Sequence, residues 1–138
     1  MDAWDGYPAA RDRLFDAALE ADANLVVLAG DTHNAWNFDL SHGGNPVGVE
    51  FATAGVTSPG LESYLGMVPA RGVAAALVAE NYGMVGADTS QRGYMALELT
   101  PSAAKSEWRF VEGIKQRSTT LAGTQTASVE AGAKVQSA

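Results

Sequence analysis

The stretch Leu25-Val26-Val27-Leu28-Ala29 is a continuous apolar run that stops abruptly at Gly30-Asp31-Thr32-His33. A run this short is the signature of a strand buried on both faces rather than of an amphipathic helix. The segment before it has the other periodicity. Ala10, Leu14, Ala17, Ala18 and Ala21 recur at helical spacing, and Asp12, Asp16 and Glu20 fall on a solvated stripe. Pro8 suits the first turn, where its missing N–H is not needed. The spacing predicts a helix from about Pro8 to Asp22, then a strand, then a polar loop. Ligands of open α/β sheets gather at the carboxyl ends of strands, which is where this loop sits.

Farther along, Gly43-Gly44-Asn45-Pro46 marks a turn. Val47, Val49 and Phe51 then alternate with Gly48 and Glu50, predicting a strand up to about Thr53. Ser58-Pro59-Gly60 breaks the chain again. Val73–Glu80 is alanine-rich and reads as a helix stopped by Gly83. Gly93–Leu99 and Lys105–Val111 read as two strands of a hairpin joined through residues 100–104. Met95, Leu97 and Leu99 share a face of the first, and Trp108 and Phe110 share a face of the second. Glu98 and Lys105 fall together on the outer face. Beyond Arg117 the composition turns to Thr, Ser, Ala, Gly and Gln, so residues 118–138 are either an edge strand or a loose terminus. The order of elements implies a mixed α/β (α+β) layered fold without a Gly-rich phosphate loop.

Composition narrows the chemistry. Of 138 residues none is cysteine, so any metal must be held by oxygen and imidazole ligands. The net charge is −7, and residues 1–50 contain all of the acidic excess. Such a surface repels nucleic-acid phosphate, which argues against a nucleic-acid-binding module. No apolar run approaches the roughly 20 residues that span a bilayer, so no membrane span is expected. Met1 is followed by Asp2, Asp5 and Tyr7, so no signal peptide is expected in these residues either.

Asp31 and His33 lie two apart. In an extended segment both side chains would point to one side, placing a carboxylate and an imidazole before the same metal cluster. Asn34 adds an amide for a ligand or for substrate. The same residue types are also ordinary turn formers, and two ligands do not make a hydrolytic centre. His42, in Ser41-His42-Gly43-Gly44, reads as plain surface in a flexible turn. Trp108 reads as core, Trp4 and Trp36 as pocket-lining or packing residues, and Tyr94 as packing.

The blocks taken together resemble a family. Trp4-Asp5-Gly6-Tyr7-Pro8-Ala9-Ala10-Arg11, then Gly30-Asp31-Thr32-His33-Asn34-Ala35-Trp36, resemble segments of PhoD-like alkaline phosphatases. Val49-Glu50-Phe51 with Thr57-Ser58-Pro59-Gly60 and Asn81-Tyr82, Asp88 and Arg92-Gly93-Tyr94 look like the blocks that follow. The resemblance covers about residues 2–117 and implies the C-terminal half of a calcineurin-like two-sheet αββα sandwich, with residues 118–138 as a tail or edge strand. It implies that Asp31 and His33 are metal ligands with a catalytic role, that Asn34 and Trp36 meet substrate, and that the metals are iron and calcium. The implied reaction is hydrolysis of phosphate mono- and diesters by a metal-activated hydroxide, in a periplasmic or secreted protein. The family's earlier metal motifs do not occur in these residues. We therefore expect a fragment of a longer protein that needs its N-terminal half, or a self-associated dimer, to cover one sheet face. The alternative is a noncatalytic remnant that folds by oligomerising.

Overall fold

A computed structural model describes residues 3–137. Helix α1 (Pro8–Glu20) begins at its proline after a single 3-10 turn at Trp4–Gly6, as the spacing requires. Strand β1 (Leu25–Ala29) follows, then β2 (Ala35–His42) and β3 (Asn45–Ala52). Helix α2 (Ala70–Glu80) leads to β4 (Met84–Asp88), and β5 (Arg92–Leu99), β6 (Ala103–Val111) and β7 (Leu121–Glu130) complete the fold. Among the described residues no helix is long and apolar enough to cross a membrane.

The strands form two sheets. One is mixed, with order β1-β3-β2-β4, in which β1 runs parallel to β3 and the other pairs are antiparallel. The other is an antiparallel meander, β5-β6-β7. Their facing surfaces share one apolar core: Val49, Phe51 and Val26 from the first meet Trp108, Phe110, Ala104 and Val129 from the second. Trp108 ties the layers most directly. Its ring stands edge-on to Phe51 at 5.8 Å, and its indole N–H donates to the Ala52 carbonyl at 2.8 Å. A buried indole needs such an acceptor, because an unpaired donor in an apolar core is expensive. The expected mixed α/β two-sheet sandwich and the core role of Trp108 are both present.

A β-bulge near Leu40 and Ser41 lets one strand serve both faces of the mixed sheet. Val49 and Phe51 pack toward the second sheet. Val47, beyond the bulge, packs with Phe15 and Ala18 of α1 on the opposite side. Helix α1 thus covers part of the outer face, flanked by Leu25 and Leu40. On the meander, the outward alternates include Lys105, Glu107 and Arg109, and Lys105 stands near Glu98 in register as expected.

Several expectations need correction. Strand β1 is an edge strand, not one buried on both faces, and Leu28 is 54% exposed. It has β3 on one side only, and its outward residues line an open cleft. Strands β2 and β4 were not anticipated. In β2 the alternation of Trp36, Phe38 and Leu40 with Asn37 and Asp39 is a strand signal hidden behind the polar residues 30–34. Strand β4 is short and contains Gly86. Helix α2 starts three residues before Val73, and β6 starts at Ala103, inside the expected loop. The tail is paired: β7 lies along β6 for its whole length. Beyond it, Lys134 bridges Asp22 at 2.5 Å, and the Gln136 backbone N–H donates to the Asp39 carboxylate at 2.9 Å.

Candidate metal-site loop

The loop after β1 is wound more tightly than a continuing strand. The Thr32 N–H donates to the Gly30 carbonyl at 2.7 Å, closing a three-residue turn centred on Asp31. Asp31 has φ +63° and His33 has φ +60°, both in the left-handed region. A turn of this hand with a non-glycine centre is rare and strained. The expected extended geometry is therefore wrong. Asp31 and His33 do not project as alternate residues of a strand. Two closely spaced left-handed residues re-aim them instead, and such strain persists only where surrounding structure holds it.

That surrounding structure is a second loop, residues 59–62. The Pro59 carbonyl accepts from His33 Nδ1 at 3.0 Å. A carbonyl can only accept, so Nδ1 carries a proton, and in the neutral ring the lone pair is then on Nε2. Asn34 is 2% exposed, and its amide is engaged at both ends. Its Nδ2 donates to the Thr32 carbonyl at 2.6 Å, and its Oδ1 accepts from the Leu61 N–H at 3.1 Å. The structure thus places Asn34 as the peg between the two loops.

Arg92 locks the assembly from below. It is 6% exposed, and Nη1 donates to the carbonyls of Gln91 at 2.7 Å and His33 at 3.3 Å. Its Nη2 pairs with Glu62 Oε1, which also accepts the Gly60 N–H at 3.2 Å. Burial pushes the Glu62 carboxyl up, but the hydrogen bonds from Arg92 and the backbone and the Arg92 charge outweigh it. The net shift is below the ordinary carboxylate value. Gly60 is required by space: a Cβ there would lie 2.6 Å from Asn34 Oδ1 and 2.9 Å from Glu62 Oε2. The contacts of Arg92 and Glu62 with this loop have no local signal: nothing in the block Arg92-Gly93-Tyr94 shows that a buried arginine reaches back to His33.

Asp31 is exposed and makes no hydrogen bond or ion pair among the described residues. It stands at the end of a cleft of about 650 Å³ on the outer face of the mixed sheet. Trp4, Val27, Thr32, Trp36, Phe38 and Glu50 are among its walls, so Trp36 lines the cleft. His33 does not; it sits beside the cleft against Pro59. Burial raises the Glu50 carboxyl, with the nearby Asp5 charge adding to the effect. Among the described residues no three His, Asp or Glu side chains converge on a point that would hold a metal. His42 lies at the end of β2 rather than in a flexible turn. Its ring nitrogens are 3.6 Å from Asp12 and 3.2 Å from Asp16, tying β2 to α1.

Comparison with known proteins gives this geometry a context. The chain is 30% identical over 117 residues to alkaline phosphatase D of Bacillus subtilis (strain 168). The alignment takes in 80% of this chain and 19% of that protein, so the chain spans less than a fifth of its relative's length. No solved structure matches. The family model for PhoD-like phosphatases matches residues 1–108, which includes both loops and Arg92. The chain belongs to the PhoD-like phosphatase family.

Proposed function

We propose that this chain is part of a metal-dependent phosphatase acting on phosphate mono- and diesters, and that Asp31 and His33 are the last metal motif of its site. The observation that carries this reading is the His33 ring. Its Nδ1–H is committed to the Pro59 carbonyl, the arrangement by which metal-binding histidines fix their tautomer and direct Nε2 at the ion. The carboxylate of Asp31, two residues away and without a protein partner among those described, supplies an oxygen donor. An imidazole beside a carboxylate suits iron, and carboxylate oxygens suit calcium, the two metals implied by the family resemblance. When bound, such ions supply a nucleophile at neutral pH and neutralise charge on the transferring phosphoryl group.

The chain's own residues then have distinct tasks. Asp31 and His33 hold the metal, at Oδ and Nε2 respectively. Asn34, buried between the loops, acts on substrate only through the positions it fixes. Trp36, in the cleft wall, faces the organic part of the ester. The acidic cleft alone repels a phosphate anion, so cations at its end are needed to reverse the local sign. The remaining ligands belong to a preceding half of a calcineurin-like sandwich, which would also lie over the open face beside β1. We further propose a periplasmic or secreted location, in line with the family.

The test uses the full-length protein carrying Asp31→Asn or His33→Ala, with metal content by elemental analysis and turnover of an aryl phosphate. Both variants should lose metal and turnover together. Near-normal values in both would sink the proposal, and so would a full-length protein that stays metal-free and inactive, as a noncatalytic remnant would be.

A further inference from the structure

Four contacts around His33, closed by the Pro59–Gly60 peptide bond, form a circuit. From the His33 carbonyl the path runs to Arg92 Nη1, from Arg92 Nη2 to Glu62 Oε1, and from Oε1 to the Gly60 N–H. Gly60 follows Pro59, whose carbonyl accepts from His33 Nδ1. The circuit therefore begins on the backbone of His33 and ends on its ring. Arg92 is its only cation, and nothing about its own strand requires a buried charge. Its backbone is set independently by a tight turn: Asp88 Oδ1 accepts the Ser90 and Gln91 N–H groups at 2.9 and 2.7 Å, and Oδ2 accepts Gln91 Nε2 at 2.7 Å. A guanidinium delivered this rigidly, with its planar fork shared among three acceptors, is a fixed spacer.

We infer that Arg92 is a positioning residue for His33: it holds loops 31–34 and 59–62 in register, so that the imidazole stays in the Nδ1–H tautomer with Nε2 directed outward. It touches neither metal nor substrate. The inference deepens the metal-site reading and rests on it for its functional consequence, while the tautomer itself does not depend on metal.

Two measurements on the full-length protein test it. The first is the ¹⁵N signature of the His33 ring in chelator-treated protein, assigned by its absence in His33→Ala. Wild type should show Nδ1–H, and Arg92→Met should show a mixture of tautomers. Retention of the pure Nδ1–H form in Arg92→Met overturns the inference, whatever becomes of the metal reading. The second is a double-variant cycle read by anaerobic calorimetric titration with Fe²⁺ alone, an ion that takes imidazole. Loss of an outer partner of a ligand typically weakens metal binding about 10–100-fold. Arg92→Met should do so in the wild-type background and change affinity less than about twofold in the His33→Ala background. Arg92→Lys, which keeps the charge without the fork, should recover part of the loss. Equal losses in both backgrounds would mean a merely structural arginine and overturn the inference. If His33→Ala itself leaves Fe²⁺ binding unchanged, the metal-site reading fails and the ring signature alone decides the role of Arg92. Should Arg92→Met not fold, Glu62→Gln opens the circuit at its next link and the same two measurements apply, with the same outcomes for and against.

Discussion

Two of the loops that pass through left-handed backbone do so with opposite residues. At the β2–β3 hairpin the turn is Gly43-Gly44, with φ +58° and +82°, and His42 paired across to Asn45. Both glycines accept positive φ without steric penalty, and both positions face open space. At the end of β1 the left-handed residues are Asp31 and His33. There the same backbone conformation is unfavourable, and contacts with Pro59, Leu61 and Arg92 hold the segment in place. The hairpin is local and self-sufficient. The site loop is a strained segment clamped from a distance, which is the pattern of a loop kept for its side chains rather than for its turn.

The largest effects should separate the two loops by function. In the full-length protein, Asp31→Asn and His33→Ala should each lower turnover by more than the roughly 100-fold expected for an outer partner, with little change in melting temperature. Gly43→Ala with Gly44→Ala should do the reverse. Forcing left-handed backbone on non-glycine residues costs about 1–2 kcal/mol each, read as a lower denaturant midpoint with metal content unchanged. If the hairpin variant loses metal while keeping its stability, the division between the loops is wrong.

A third substitution tests the strain itself. Asp31→Gly removes a side chain without a described partner and relieves the left-handed penalty. It should raise stability by about 0.5–1 kcal/mol while abolishing metal binding. Aspartate tolerates this region better than most residues, which keeps the gain small. A loss of stability on denaturant unfolding would show that the loop is not strained.

The difference between the loops also explains what was legible in the sequence. Gly43-Gly44 announces its turn by residue type, because the glycines themselves supply the conformation. The helix at Pro8 and the meander strands around Trp108 were equally readable, since their periodicity is local and their cores are apolar. Gly30-Asp31-Thr32-His33 announces a polar loop after the strand but not its shape. Its conformation is held by residues 26–59 positions away, and no local rule encodes that. The same holds for β1. Its apolar run reads as doubly buried, while its exposed outer edge is a matter of which neighbours the sheet has. Strand β2 was readable by alternation yet masked by the polar segment before it.

The smallest expected effect comes from two carboxyls in these contrasting settings, and its sign differs between them. Glu62 in the clamp is held below its ordinary value. Its stabilising contribution is complete above the unfolded carboxylate range near pH 4.3 and is lost as pH falls through its lower folded value. Glu50, in the cleft wall, is raised by burial and by Asp5. Its protonated form is favoured in the folded state, so it costs stability as pH rises through the unfolded value toward neutrality. Glu62→Gln should therefore reduce stability at pH 7 and make little difference near pH 3. Glu50→Gln should increase stability modestly at pH 7 and also lose its effect in acid. Denaturant midpoints of the two variants and wild type at both pH values check this. A destabilised Glu50→Gln at pH 7 would mean that its charge is matched by a cation in the cleft. That outcome would extend the binding region from the strained loop onto the face of the sheet.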